Sequence, residues 1–190
     1  MVLVAAALSA VFALPAAAAT EPPFEGARIE NPSRLPPFTL HDQTGRPFGL
    51  ASARGKAVLV TFLYTHCRDV CPLTAQNLSA ALSRLPRAER DQVRVLAVSV
   101  DPRGDTTASA RRFVRRHRLV PQFHYLTGSE RELAPVWRAY SVTSVARAKS
   151  DVDHTLYTVL ADRHRVARVL YDATATPAAV AHDLRLLLAR

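Results

Sequence analysis

The chain contains two cysteines, Cys67 and Cys71, in the stretch Tyr64-Thr-His-Cys-Arg-Asp-Val-Cys-Pro72. Two thiols at this spacing can form a disulfide, or they can bind a soft metal ion as thiolates. Structural zinc normally takes four protein ligands and iron–sulfur clusters usually take four cysteines, so one pair is too few for either. Copper(I) accepts fewer ligands, and two thiolates with one imidazole would suffice. The spacing alone leaves copper binding, redox exchange and a structural disulfide open.

The residues on either side of the pair predict where it lies in the fold. The apolar run 57–63 is continuous rather than alternating, which is typical of a buried central strand. Leucines recur at helical spacing over residues 73–85, and Pro72 suits the first turn of that helix. The cysteines are therefore predicted at a helix N-terminus, where the partial positive charge lowers the pKa of a thiol.

Four stretches of the chain resemble, in the same order, segments of the SCO/SenC family of copper chaperones. They are the opening segment 38–50, Thr65-His-Cys-Arg-Asp-Val-Cys-Pro72, Val98-Ser-Val-Asp-Pro102 with Asp105-Thr106, and Val152-Asp-His-Thr155. The second of these is similar to the Cys-Pro-Asp-Val-Cys-Pro signature of the family. The resemblance covers about residues 35 to 190, and its clearest departure is Arg68, where the family usually has proline.

The resemblance implies that Cys67, Cys71 and His154 bind copper. It also implies a role in assembly of cytochrome c oxidase, with the dinuclear copper site of subunit II as the recipient. His66 is the competing imidazole, but on an extended segment its side chain should point away from that of Cys67. Three carboxylates are candidates for orienting the ligands from outside the copper site, and they are Asp69, Asp101 and Asp153.

A thiol–disulfide oxidoreductase is the alternative function. One of Cys67 and Cys71 would then attack and the other would resolve, and the target would be the same oxidase subunit or another extracytoplasmic protein. His154 discriminates the two functions, because disulfide exchange needs no distant imidazole. A peroxidase is disfavoured, because the chain lacks the Pro-x3-Thr-x2-Cys segment that resembles peroxiredoxins.

The N-terminal residues predict export. Residues 1–19 are almost entirely apolar and end in Ala17-Ala-Ala19, which favours a cleaved signal peptide or a membrane anchor. The proline-rich residues 20–36 predict a linker, and residues 37–190 a single domain. We therefore expect a periplasmic protein, or one on the outer face of the cytoplasmic membrane. Cysteines tend to be oxidised there, so copper binding would need a thiol reductant.

The remaining pattern predicts an α/β sandwich of thioredoxin type, with a central mixed sheet flanked by helices. Residues 38–50 alternate around Gly45 and predict an N-terminal hairpin. A second apolar strand over residues 93–100 brings Asp101 to the carboxyl edge of the sheet. Asp101 could orient the metal loop there, whereas Asp105 or Thr106 suits the cap of the next helix better.

Later segments predict a loop, two strands and a helix. Residues 141–153 lack periodicity and predict a long loop that ends at His154. Strands are expected at residues 155–160 and 166–170, and the chain closes with a helix that carries an apolar stripe.

The chain carries a formal net charge of +9. Four arginines, Arg111, Arg112, Arg115 and Arg116, share one face of a predicted helix. They favour a solvated surface or, alternatively, docking to an acidic partner or an anionic lipid. No nucleic-acid motif accompanies them, so the charge does not predict DNA or RNA binding.

Overall fold

The computed structural model describes residues 23–146 and 152–189, so the predicted signal or anchor over residues 1–19 lies outside the described residues. The strands, in chain order, are β1 (Ala27–Arg28), β2 (Thr39–His41), β3 (Pro47–Gly49), β4 (Ala57–Leu63), β5 (Val93–Ser99), β6 (Phe123–Leu126), β7 (Ser144–Ala146), β8 (Val152–His154), β9 (Thr158–Ala161) and β10 (Ala167–Tyr171). The helices are α1 (Val70–Ser83), α2 (Arg87–Arg90), α3 (Thr107–Arg116), α4 (Glu130–Ala139) and α5 (Pro177–Leu188), with a 3-10 turn at Leu50–Ala53.

A six-stranded mixed sheet forms the centre of the fold, in the order β1-β10-β9-β4-β5-β6. Strands β4, β5 and β6 run parallel to one another, whereas β9 is antiparallel to β4. Every residue of β4 is buried, as expected for a continuous apolar run in the middle of a sheet. The mixed sheet with its flanking helices confirms the predicted fold class.

Helix α1 carries the cysteine pair into its first turn. The helix buries Ala75, Leu78 and Leu82, and it packs against α5. It begins at Val70, so Cys71 and Pro72 are both helical, and the predicted place of Pro72 in the first turn is confirmed. A proline is tolerated there, because the first N–H groups of a helix have no partner within it.

The structure confirms one predicted hairpin and contains a second hairpin where a loop was predicted. The N-terminal hairpin is confirmed, since Thr39 pairs with Gly49 and Gly45 has a positive φ of 83° in the turn. The unbroken loop over residues 141–153 is wrong, because β7 and β8 form an antiparallel hairpin. Strands of three residues are too short to show a periodicity in sequence. His154 is consequently the last residue of β8, and the following strand starts at Thr158.

The segment predicted to be a linker contributes to the folded unit. Ala27 and Arg28 form the edge strand β1 against β10, and Leu35 is buried. The buried carboxylate of Asp183 accepts hydrogen bonds from the N–H groups of Glu25 and Gly26. None of the helices in the described part of the chain has the length and hydropathy needed to cross a bilayer.

Candidate metal centre

The cysteines lie where β4 gives way to α1, at the carboxyl edge of the parallel strands. Cys67 is half-buried in the connecting loop and Cys71 is fully buried, and neither forms a disulfide. The N–H of Cys71 donates a hydrogen bond to the Cys67 Sγ atom at 3.3 Å. Asp69, the residue that precedes the helix, makes no side-chain cap bond with the described residues. The Cys67 sulfur therefore accepts a helix N–H that a cap residue would otherwise bind.

This position makes the two thiols chemically different. The thiol of Cys71 donates to Cys67 and, with the N–H groups of Asp69 and Cys71, lowers the pKa of Cys67 to about 5 against the opposing effect of burial. The same hydrogen bond, together with burial, raises the pKa of Cys71 above its ordinary value. The hydrogen bond between the two sulfurs therefore favours the thiolate form of Cys67 and the protonated form of Cys71.

His154 reaches the pair from the β7–β8 hairpin. Its Nε2 atom lies 3.9 Å from the Cys71 Sγ atom, and its Nδ1 atom lies 3.1 Å from the carbonyl oxygen of Thr155. A carbonyl oxygen only accepts, so Nδ1 donates its N–H to Thr155, and the Nε2 lone pair of a neutral imidazole in this position lies on the side of the sulfur. The ring of Tyr64 packs edge-on against the imidazole, with the ring centres 5.6 Å apart.

The three side chains supply two sulfurs and one imidazole nitrogen, a donor set that suits Cu(I). Ligands that lie about 2.0–2.3 Å from one ion are separated from each other by about 3.5–4 Å, so the Cys71–His154 distance leaves room for an ion between them. The Cys67 sulfur is turned toward the start of α1, where it accepts the Cys71 N–H.

His66 lies in a different group of side chains. Within the described residues, the compact set of three potential ligand atoms is formed by His66, Asp101 and Asp105, all within 4.8 Å of one another. Oδ1 of Asp101 already accepts hydrogen bonds from the N–H groups of Arg103 and Gly104, at 3.2 and 2.9 Å. Asp101 thus holds the turn after β5 and stands beside His66, next to the metal loop.

Of the other two carboxylates predicted to orient the ligands, only Asp69 has a side chain among the described residues. The side chain of Asp69 is exposed, and only its backbone N–H reaches the Cys67 sulfur. Asp153 belongs to β8, and its side chain lies outside the described residues.

Asp105 has a role that sequence reasoning missed, because it was considered only as one of two candidates for the helix cap. Thr106, rather than Asp105, caps α3, in a reciprocal arrangement with Ser109. The Asp105 carboxylate is buried and accepts four hydrogen bonds, two from Thr65 and one each from Ser99 and Tyr125. An aspartate shortly after Asp101 at the same sheet edge was the available signal. Asp105 connects the start of the cysteine loop to the ends of β5 and β6.

Comparison with known proteins identifies the family. The sequence model of the SCO1/SenC family matches residues 27–189, which leaves only residues 23–26 of the described chain outside the match. The chain belongs to the SCO1/SenC family. It is 32% identical to the SenC protein of Rhodobacter capsulatus over 152 residues, 78% of this chain and 67% of that protein. Against the first curated relatives, this SCO1/SenC chain spans about half to two thirds of their length.

Solved Sco structures share the fold. The structure of Bradyrhizobium japonicum ScoI with copper bound is 32% identical, with a TM-score of 0.71 over 82% of this chain and 99% of that one. BsSco is described as a member of the Sco family of cytochrome c oxidase assembly proteins, with a disulfide switch. It is 25% identical, with a TM-score of 0.68 over 85% of this chain and 98% of that one. The SCO1/SenC domain described above is therefore thioredoxin-like.

Proposed function

We propose that this SCO1/SenC protein is an extracytoplasmic copper chaperone that delivers copper to the dinuclear site of cytochrome c oxidase subunit II. Cys67, Cys71 and His154 bind the metal. The observation that carries the proposal is the 3.9 Å approach of His154 Nε2 to Cys71 Sγ across 83 residues of sequence. A distance of this size lets one soft metal ion lie between the buried sulfur and the imidazole nitrogen.

The donor set and the protonation of the pair support Cu(I) as the cargo. Thiolate sulfur and imidazole nitrogen are ligands that Cu(I) prefers. Cys67 is already a thiolate near neutral pH, so only Cys71 has to lose a proton when the ion binds. The half-buried Cys67 is the ligand that an acceptor protein can reach first, and replacing it begins the transfer.

Relatives support both the cargo and the recipient. The copper-bound Bradyrhizobium japonicum ScoI is 32% identical over nearly its full length, and BsSco belongs to the cytochrome c oxidase assembly proteins. An exported protein meets oxidising conditions, under which Cys67 and Cys71 would close into a disulfide. A thiol reductant therefore has to open the pair before copper binds.

The transfer step tests the function directly. The reduced protein, loaded with Cu(I) under anaerobic conditions, is mixed with the soluble copper-accepting domain of subunit II, whose cysteines are either reduced or oxidised. We expect copper to move to the reduced acceptor, as followed by the metal content of the two separated proteins. His154→Ala should abolish this transfer, while His164→Ala, which changes an exposed histidine, should leave it intact.

A thiol–disulfide oxidoreductase is the second candidate, and the unequal thiols favour it. The Cys67 thiolate would attack a target disulfide, and Cys71 would then resolve the mixed disulfide. The same mixture distinguishes the functions. Reduction of the oxidised acceptor at equal rates by the parent protein and by His154→Ala, with no movement of copper, would replace the chaperone by the reductase.

A further inference from the structure

A groove of about 850 Å³ extends from the cysteine loop along the exposed side of α3. Cys67 is one of its lining residues, and its walls carry four arginines, which are Arg68, Arg112, Arg115 and Arg116. His66 and His117 also line it, and no carboxylate stands among its described lining residues. The groove is therefore a concentrated positive surface that leads directly to the accessible sulfur of the pair.

The arginines of the groove have no ion-pair partner in the part of the chain that the structure describes. Among the described residues, no carboxylate lies within ion-pair distance of the four guanidinium groups. The helix dipole explains the position of two of these arginines, because Arg115 and Arg116 lie in the last turn of α3, where positive charge is favourable. It does not account for Arg112 in the middle of the helix or for Arg68 on the cysteine loop. Like charges so close together repel, unless an anionic ligand covers them.

The shape of the groove indicates the kind of ligand. The space is larger than a single inorganic ion requires, and its lining includes the apolar side chains of Pro72 and Phe113. Guanidinium groups bind carboxylates in a two-pronged geometry, and apolar walls accommodate the aliphatic part of a peptide. A polypeptide segment rich in aspartate or glutamate satisfies both features.

We propose that this groove binds an acidic segment of the protein that exchanges copper with this chain. The segment would lie along α3 and bring the partner's own ligand to Cys67. This inference rests on the proposed function, because Cys67 is the sulfur through which copper would pass.

A pair of reactive peptides tests the groove without knowledge of the partner. One peptide holds a cysteine beside a run of glutamates, the other has glutamines in their place, and each cysteine is activated as a 2-pyridyl disulfide. The Cys67 sulfur of the reduced protein attacks the peptide sulfur, the Cys67–peptide disulfide forms, and 2-thiopyridone leaves with the electron pair of the broken bond. Its absorbance gives the rate.

The reduced protein should react with the acidic peptide about tenfold faster than with the glutamine peptide at low ionic strength. High salt should bring the ratio close to one. The triple change Arg112→Glu, Arg115→Glu and Arg116→Glu should abolish the preference or reverse it. The triple change to Gln, which disturbs the fold less, should reduce the preference without reversing it.

A matched control separates the groove from the net charge of the protein. Arg54→Glu, Arg131→Glu and Arg163→Glu change three exposed arginines outside the groove, and they alter the net charge equally. This control should keep most of the preference for the acidic peptide. An equal loss in the two triple Glu variants would overturn the proposal, because the effect would belong to the whole protein.

Two further measurements complete the test. If the parent protein shows no peptide preference but binds phosphatidylglycerol vesicles through Arg112, Arg115 and Arg116, the groove is a membrane surface and the proposal is wrong. The affinity for Cu(I) should be the same in the parent protein and in the triple Gln variant of Arg112, Arg115 and Arg116. Failure of the parent protein to bind Cu(I) would overturn the proposed function, while the peptide rates would still decide whether the groove recognises acidic segments.

Discussion

Asp105 accepts two hydrogen bonds from Thr65 at the same oxygen, one from the backbone N–H at 2.8 Å and one from the hydroxyl at 2.7 Å. Its other oxygen accepts from Ser99 at 2.7 Å and from Tyr125 at 2.8 Å. One buried carboxylate therefore joins the residues that follow β4, end β5 and lie within β6. Burial raises the pKa of Asp105, and the hydrogen bonds from Thr65 and Ser99 oppose that rise.

Asp105→Asn should destabilise the reduced apoprotein by about 2–4 kcal/mol. The NH2 group of the amide would face hydrogen-bond donors, at a position where a carboxylate oxygen now accepts their bonds. Urea unfolding of the parent protein and the variant measures the difference. Asp69→Asn changes an exposed carboxylate in the neighbouring loop and should stay within about 0.5 kcal/mol of the parent. Equal effects of the two substitutions would contradict the central role of Asp105.

The Cys67 thiol should titrate far below an ordinary cysteine. Alkylation of the reduced apoprotein by iodoacetamide should reach half of its maximal rate near pH 5 and should be close to its maximum at pH 7. Cys71→Ala removes the thiol that donates to Cys67, so the midpoint should move toward the ordinary value of 9.0. If the midpoint pH were the same in the parent protein and in Cys71→Ala, Cys71 would not stabilise the thiolate.

The same titration predicts how stability depends on pH. The folded pKa of Cys67 is lowered, so its stabilising contribution is present above the unfolded value of 9.0 and is lost as the pH falls through about 5. The folded pKa of Cys71 is raised, so its contribution is lost as the pH rises above 9.0. The unfolding free energy of the reduced protein, relative to Cys67→Ser/Cys71→Ser, should rise between pH 5 and pH 9 and then fall. A difference that is flat across this range would show that the pair is not coupled.

Gly104 leaves space for the two side chains that stand beside the metal loop. A Cβ atom at this position would collide with Oδ2 of Asp101 and would lie 3.0 Å from Nδ1 of His66. Because the other oxygen of Asp101 is held by two N–H groups, Gly104→Ala should destabilise the protein by about 1–3 kcal/mol. The substitution should cost less in an Asp101→Ala background, as a double-mutant cycle would measure. An undiminished cost there would place the clash elsewhere.

The elements with long continuous patterns were predictable from sequence, and the short ones were not. Strand β4 has seven consecutive apolar or β-branched positions, and the N-terminal hairpin has an alternating pattern with a glycine turn. Strand β1 has two residues and pairs with β10, far along the chain, whereas β7 has three residues and pairs with the equally short β8. A strand that depends on its partner leaves little trace in its own sequence.

The site was predictable to different degrees. The position of Cys67 and Cys71 at a strand-to-helix junction followed from the neighbouring residues alone. The choice of His154 came from the family resemblance, because no local pattern connects residues that are 83 positions apart. The burial of Asp105 depends on three strands meeting at one edge of the sheet, and its own neighbours favoured a helix cap instead. The assignment of the three ligands stays a prediction.

The measurement that tests the copper site most directly is an anaerobic Cu(I) titration of the reduced protein against a competing chelator. We expect one tightly bound equivalent in the parent protein and in His66→Ala, whose imidazole lies beside Asp101. His154→Ala should weaken the binding by at least about tenfold, because the ion loses one of its three ligands. The substitution also removes the imidazole against which Tyr64 packs. Equal affinity in the parent protein and His154→Ala would contradict the three-ligand site and leave only the cysteine pair.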